Sequence, residues 1–86
     1  VMKNIDPRKY NLSPRIRLLQ NTRGHLFIVI DRKSRIIMKD GHRIMEMIKS
    51  IQSVEKGSTI SVLTSAPVCS KTRQFLAEQK INIKEF

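Results

Sequence analysis

Several residue types are scarce in this 86-residue sequence, and long apolar runs are absent. These absences exclude an intramolecular disulfide and a membrane-spanning helix. It has one cysteine, no tryptophan and only 7 acidic residues. A lone cysteine, Cys69, cannot form an intramolecular disulfide. The longest apolar run, Leu26–Ile30, is far shorter than the roughly 18 residues needed to cross a bilayer. Because the N-terminal residues also lack the apolar stretch of a signal peptide, we expect a cytoplasmic location and no membrane partner.

Basic residues, by contrast, are abundant and unevenly spread. The sequence holds 17 lysines and arginines, which gives a net charge of +10. Residues 1–43 carry 11 basic and 3 acidic groups, a net of +8, whereas residues 44–86 carry 6 and 4, a net of +2. Such asymmetry indicates one basic face, as expected of a protein that binds nucleic acid or another acidic surface.

Apolar periodicity and turn residues predict an α/β fold. The predicted elements, in chain order, are a polar arm over residues 1–14, strands over 15–18, 25–31 and 35–39, a helix over 41–55 capped by Asp40, a strand over 59–64, a helix from Ser70 to about Gln79, and a strand over 80–86. Residues 15–86 should form a single domain. Its order, βββαβαβ, predicts a small mixed sheet with an N-terminal antiparallel meander and two helices.

Two elements carry the strongest signals. The segment 25–31 is apolar on both faces, which favours a central strand. Ile44, Ile48 and Ile51 fall on one stripe of the first helix and should be buried. The last two strands flank a helix, so we expect them to pair in parallel through a right-handed crossover.

The basic meander is the main candidate site. We predict that it binds nucleic acid, DNA or RNA, through Arg15, Arg17, Arg23, Arg32, Lys33, Arg35 and Lys39. Turns and arms present flexible cations on an accessible surface, as phosphate contacts require. Tyr10 is the only aromatic residue among these charges, which gives little support for base stacking. The simpler interpretation is that the cations protect a sheet edge from unwanted pairing.

The element order resembles the restriction-endonuclease-like superfamily, whose pattern is PD…(D/E)xK. Asp31-Arg32-Lys33 is similar to the DxK part, although no acid precedes it on a strand. In a second alignment Asp31 is the first acid and Lys39 the lysine, with Ile37 in place of the second acid. The resemblance implies the fold and, for an active member, metal-dependent cleavage of DNA. That chemistry needs at least two carboxylates, which only Asp31 and Asp40 together would supply.

Two further sequence features, the lone cysteine and the two histidines, could indicate a redox or a metal site. Cys69 precedes a predicted helix and resembles the cysteine of a monothiol glutaredoxin, but the element order differs, and we predict no redox role. His25 and His42 lack partners at ligand spacing, so we predict no metal site and no cofactor.

The sequence thus predicts a non-catalytic nucleic-acid-binding domain. Two alternatives remain open. One is a protein-interaction or oligomerisation module that uses an exposed sheet edge to bind a protein partner or form a homodimer. The other is a degenerate or active endonuclease-like enzyme.

Overall fold

A five-stranded mixed sheet organises the chain in the computed structural model, which describes residues 2–86. The strands are β1 (Lys3–Ile5), β2 (Arg17–Gln20), β3 (Leu26–Ile30), β4 (Ile60–Thr64) and β5 (Asn82–Glu85), and the helices are a 3₁₀ helix (Pro7–Tyr10), α1 (Met38–Val54) and α2 (Ser70–Glu78). The strand order is β1-β2-β3-β4-β5, so β3 is central as predicted. The first two pairings are antiparallel and the last two are parallel. The predicted fold class, a small mixed sheet with two α-helices, is confirmed.

The third predicted strand, over residues 35–39, is wrong. Only Ile36 forms a bridge there, to Val68, and α1 already begins at Met38. The reason is the carboxylate of Asp40, which accepts a hydrogen bond from the Ile37 N–H at 2.9 Å. Asp40 therefore acts from the third position of the helix and not as its N-cap, so the helix starts earlier than residue 41.

Within the predicted polar arm, residues 1–14, the described residues 2–14 contribute to the fold. Residues 3–5 pair with β2 and supply the first strand of the antiparallel meander. Asp6 then caps the 3₁₀ helix, with Pro7 at its first position. That helix delivers Tyr10 to the core, where its side chain is fully buried and its hydroxyl donates to the carboxylate of Glu55. The one aromatic residue of this polar segment thus anchors the segment to the core.

The core lies on one face of the sheet. Its members from the strands are Leu18, Leu26, Ile28, Ile60, Val62 and Ile83, and those from the helices are Tyr10, Ile44, Met47, Ile48, Ile51 and Leu76. The predicted burial of Ile44, Ile48 and Ile51 is confirmed. Because α1 contacts both α2 and the 3₁₀ helix, all three helical segments described lie on this side, which we call the covered face.

The two α-helices approach each other closely at Gly41. A Cβ atom there would lie 3.1 Å from Cγ2 of Thr72 and 3.3 Å from Cδ2 of Phe75. A glycine at this position therefore lets α2 pack tightly against the first turn of α1. Within residues 2–86, no helix has both the length and the apolar character needed to cross a membrane.

Candidate nucleic-acid interface

At one end of the sheet, three strands end and two helices begin. The parallel strands β3, β4 and β5 all finish there, and α1 and α2, which follow β3 and β4, both begin there. We call this end the carboxyl edge. Ligands of open α/β sheets commonly bind at such an edge, and helix N-termini there carry partial positive charge.

Six of the seven predicted cations belong to the carboxyl edge. Arg17 pairs with Val29 near the end of β3, and Arg15 precedes it in the chain. The loop from β3 to α1 carries Arg32, Lys33 and Arg35, and the first turn of α1 carries Lys39. Arg23 lies in the β2–β3 turn, at the opposite end of the sheet, so the structure separates it from the others.

Arg32 differs from its neighbours because it is already engaged. Its Nη2 donates to Oδ2 of Asp40 at 2.6 Å, and its Nε donates to the Ser34 carbonyl at 3.2 Å. Partial burial raises the pKa of Asp40, but the bonds from Arg32 and the Ile37 N–H outweigh it and hold that pKa below its ordinary value. Arg32 therefore shapes the loop, whereas Lys33 and Arg35 are exposed, and no hydrogen bond or ion pair to another residue of 2–86 engages their side chains.

The loops that carry these cations are tied together. The Ile36 N–H donates to the Pro67 carbonyl at 2.8 Å, and the Cys69 N–H donates to the Ile36 carbonyl at 3.0 Å. The hydroxyl of Ser65 donates to Oδ1 of Asp31 at 2.6 Å. These contacts join the loop after β3 to the loop after β4.

Sequence reasoning missed several exposed cations at or near this edge, among them Lys71 and Arg43. Lys71 lies in the first turn of α2, and the parallel pairing of β3 and β4 brings that turn to the edge. Arg43, on α1, lines a groove of about 350 Å³ together with Arg15. The predicted start of a helix at Ser70 was the available signal for Lys71, but only the strand order shows which helix starts are neighbours.

The carboxylates do not suit the metal site that an active endonuclease would need. Asp31 accepts from Ser65, and Asp40 is engaged by Arg32 and Ile37. None of the three strands that precede Asp31 in the chain, β1, β2 and β3, contains an acidic residue. Among residues 2–86, no three histidine, cysteine, aspartate or glutamate side chains cluster closely enough to hold a metal ion.

Cys69 is the N-cap of α2, which begins at Ser70 as predicted. Its Sγ lies 2.9 Å from Oγ1 of Thr72 and accepts the Thr72 N–H at 3.4 Å. The hydrogen bonds from the side chain and then the backbone of Thr72 lower the pKa of the thiol. The thiol thus caps the first turn of α2. The absence of a redox role stays a prediction.

Comparison with known proteins supplies the fold context. No protein family and no curated protein matches the sequence. A repair endonuclease from Pyrococcus abyssi superposes with a TM-score of 0.67 at 8% identity, covering 81% of this chain and 31% of the endonuclease. EndoMS in complex with double-stranded DNA superposes with a TM-score of 0.72 at 10% identity, covering 99% of this chain and 36% of EndoMS.

This chain therefore spans about a third of the length of each of these proteins. The identities are low, so what the three chains share is a fold. The resemblance drawn from the element order is therefore confirmed as a likeness of fold, to a protein described as a repair endonuclease and to EndoMS.

Proposed function

We propose that this domain binds nucleic acid through the exposed cations of the carboxyl edge and does not cut it. The observation that carries the proposal is the convergence of cations from three separate segments on one end of the sheet. We call these residues the edge cations: Arg15, Arg17, Lys33, Arg35, Lys39 and Lys71.

The electrostatics of the edge favour a polyanion. The edge cations are all exposed, so their charged groups can reach phosphates without losing buried contacts. The N-termini of α1 and α2 add partial positive charge at the same end. Two acids at this end are paired with cations, Asp40 with Arg32 and Glu85 with Arg73. The edge cations outnumber the remaining acid, Asp31. Counterion release then supplies binding free energy, as it does for basic surfaces on DNA.

The two structural neighbours support the proposal in a general way. One is described as a repair endonuclease and the other was determined with double-stranded DNA, so this fold serves proteins that act on nucleic acid. Cleavage does not follow from the fold, because it depends on a particular set of side chains. Here the two candidate acids, Asp31 and Asp40, are bound to Ser65 and Arg32.

A matched pair of triple variants tests the proposal. The first replaces Lys33, Arg35 and Lys39 by alanine, and the control replaces Arg23, Lys49 and Lys56, which are equally exposed but lie away from the carboxyl edge. Both remove three charges. Affinity for duplex and single-stranded oligonucleotides is measured by fluorescence anisotropy at several salt concentrations. The first triple should flatten the log–log salt slope by about 2 to 3, because each lost phosphate contact contributes about 0.7 to 0.9. The control should change it by less than 1.

The other outcomes point to other functions. Equal losses in both triples would mean diffuse attraction without a site. No binding by the parent protein would favour the protein-interaction alternative, with β1 or β5 as the exposed sheet edge. Cleavage of plasmid DNA with Mg²⁺ or Mn²⁺ that disappears in Asp31→Asn would overturn the non-catalytic part of the proposal.

A further inference from the structure

The second face of the sheet is not covered by any helical segment that the structure describes. Side chains alternate along a strand, so the residues between the core positions point to this side, which we call the open face. From the strand registers it consists of Asn4, Leu19, Phe27, Ser61 and Asn82 in one row across the sheet and Arg17, Val29, Leu63 and Lys84 in the next.

An aromatic pair lies on the open face. The rings of His25 and Phe27 stack with centroids 4.6 Å apart and an interplanar angle of 18°. Nε2 of His25 lies 2.8 Å from Oγ of Ser61 on the neighbouring strand, which fixes the orientation of the imidazole. Both rings are partly exposed. A third planar ring can extend such a stack, and every nucleobase offers one.

Cations flank the apolar centre of this face. Arg17 and Lys84 are exposed and occupy the two ends of one row, with Val29 and Leu63 between them. None of the nine positions in the two rows is acidic. This charge pattern complements a polyanion. A second copy of the chain would instead bring Arg17 and Lys84 close to their equivalents, between two molecules that each carry +10.

We infer that the open face binds single-stranded nucleic acid, with bases stacked on the His25–Phe27 pair and phosphates near Arg17 and Lys84. Five strands at about 4.8 Å spacing make a surface about 19 Å wide, too broad for the roughly 12 Å major groove of a duplex. Unpaired bases, in contrast, can spread over a sheet and stack on its aromatic residues. The inference rests on the proposed function and adds the class of ligand and where its bases lie.

The test compares two phenylalanine variants. Phe27→Leu removes the ring from the open face, and Phe75→Leu removes a similarly half-buried ring from the groove between α1 and α2. Binding is measured with labelled oligothymidylate and oligouridylate of about 15 nucleotides, within the length that one small domain covers, and with a duplex of equal length. Phe27→Leu should weaken single-strand binding about five- to 100-fold, the usual effect of losing a stacking partner. Its salt slope should not change, since no phosphate contact is lost.

A second variant guards against a folding defect in the first. The chain has no tryptophan, so Phe27→Trp introduces a single indole, whose fluorescence can be excited selectively, while keeping an aromatic ring in place. It should bind oligothymidylate about as tightly as the parent, and its fluorescence should be quenched on binding because the base stacks on the indole. Phe75→Trp is the control and should show little quenching.

The outcomes separate this inference from the proposed function. If Lys33, Arg35 and Lys39 prove necessary but Phe27→Leu and Phe75→Leu bind equally well, the edge binds nucleic acid and the open face does not. Equal or tighter binding of the duplex would overturn the inference in the same way. A parent protein that forms a dimer lost in Phe27→Leu would identify a second copy as the occupant. Failure of the parent to bind any oligonucleotide would defeat the proposed function itself.

Discussion

The two faces of this sheet use alternate residues of the same strands, yet they have different surroundings. On β4, Val62 is fully buried under the helices, whereas its neighbour Leu63 is half-exposed on the open face. On β3, Ile28 and Phe27 differ in the same way. Residue type does not distinguish the faces, because both are apolar at their centres. The position of the helices does.

Topology explains why both helices lie on one side. The chain moves from β3 to β4 to β5, always one strand further in the same direction, with α1 and α2 as the crossovers. Crossovers between parallel strands are almost always right-handed, so two successive ones in the same direction put their helices on the same face. The order of the strands therefore leaves the opposite face without helices, and no special sequence is needed for it.

The largest difference between the two faces is expected in the free energy of unfolding, when an aspartate replaces a residue on each face. Val62→Asp would bury an unpaired carboxylate under α1 and should lower the free energy of unfolding by several kcal/mol, a large share of the stability of a domain this small. Leu63→Asp keeps its carboxylate in contact with water and should lower it by about 1 to 2 kcal/mol. Urea denaturation followed by circular dichroism measures both.

Comparable losses of unfolding free energy in these two variants would contradict this difference between the faces, because they would mean that the open face is packed as tightly as the covered one. Leu63→Asp should also weaken binding of oligothymidylate, since it puts a negative charge between Arg17 and Lys84. Unchanged affinity in a folded Leu63→Asp variant would argue against the open face as a binding surface.

A smaller effect should come from Tyr10, which belongs to the covered side. Its hydroxyl donates to Glu55, and Nζ of Lys9 lies 3.9 Å from the same carboxylate. Burial, followed by the hydrogen bond and charge of Glu55, raises the pKa of Tyr10 to about 12. Tyr10→Phe loses this hydrogen bond and should lower the free energy of unfolding by about 1 kcal/mol at neutral pH.

The pH dependence of that difference follows from the direction of the shift. The folded state holds the phenolic proton more tightly than the unfolded state, so the stabilisation is complete below pH 10 and is lost as pH rises towards about 12. The stability gap between the parent and Tyr10→Phe should therefore shrink by about 1 kcal/mol near pH 11. A gap independent of pH would show that Tyr10 titrates normally.

How much of this could be predicted depends on the range of the interactions. The stripe of Ile44, Ile48 and Ile51 and the runs of β3 and β4 are local patterns, and the elements they predict are present. Residues 35–39 were misassigned because Ile36, Ile37 and Met38 resemble a strand until the bond from Ile37 to Asp40 is known. β1 and the burial of Tyr10 depend on partners far along the chain, β2 and Glu55, which no local pattern indicates.

The same difference between local and long-range interactions separates the predicted residues of the candidate site from the missed ones. Lys33, Arg35 and Lys39 are close in sequence and were predicted as a group, whereas Lys71 joins them only through the pairing of β3 with β4. Arg23 was grouped with them because it also lies in a turn, but turns at opposite ends of a strand are far apart. Phe27 was predicted as part of a strand that is apolar on both faces, so the proposal that it offers a stacking surface depends on knowing where the helices lie.

The smallest effect on stability, and the sharpest on binding, is expected from the cations of the open face. Arg17→Ala together with Lys84→Ala removes two exposed side chains and should change the free energy of unfolding by less than about 0.5 kcal/mol. The same double variant should flatten the log–log salt slope for oligothymidylate by about 1.4, because each phosphate contact on a single strand contributes about 0.7. Lys49→Ala with Lys56→Ala removes equal charge from exposed positions away from the open face and is the control. Anisotropy titrations at several salt concentrations measure the slopes. An equal change in both double variants would mean that net charge alone attracts the strand and that the row from Arg17 to Lys84 has no part in holding it.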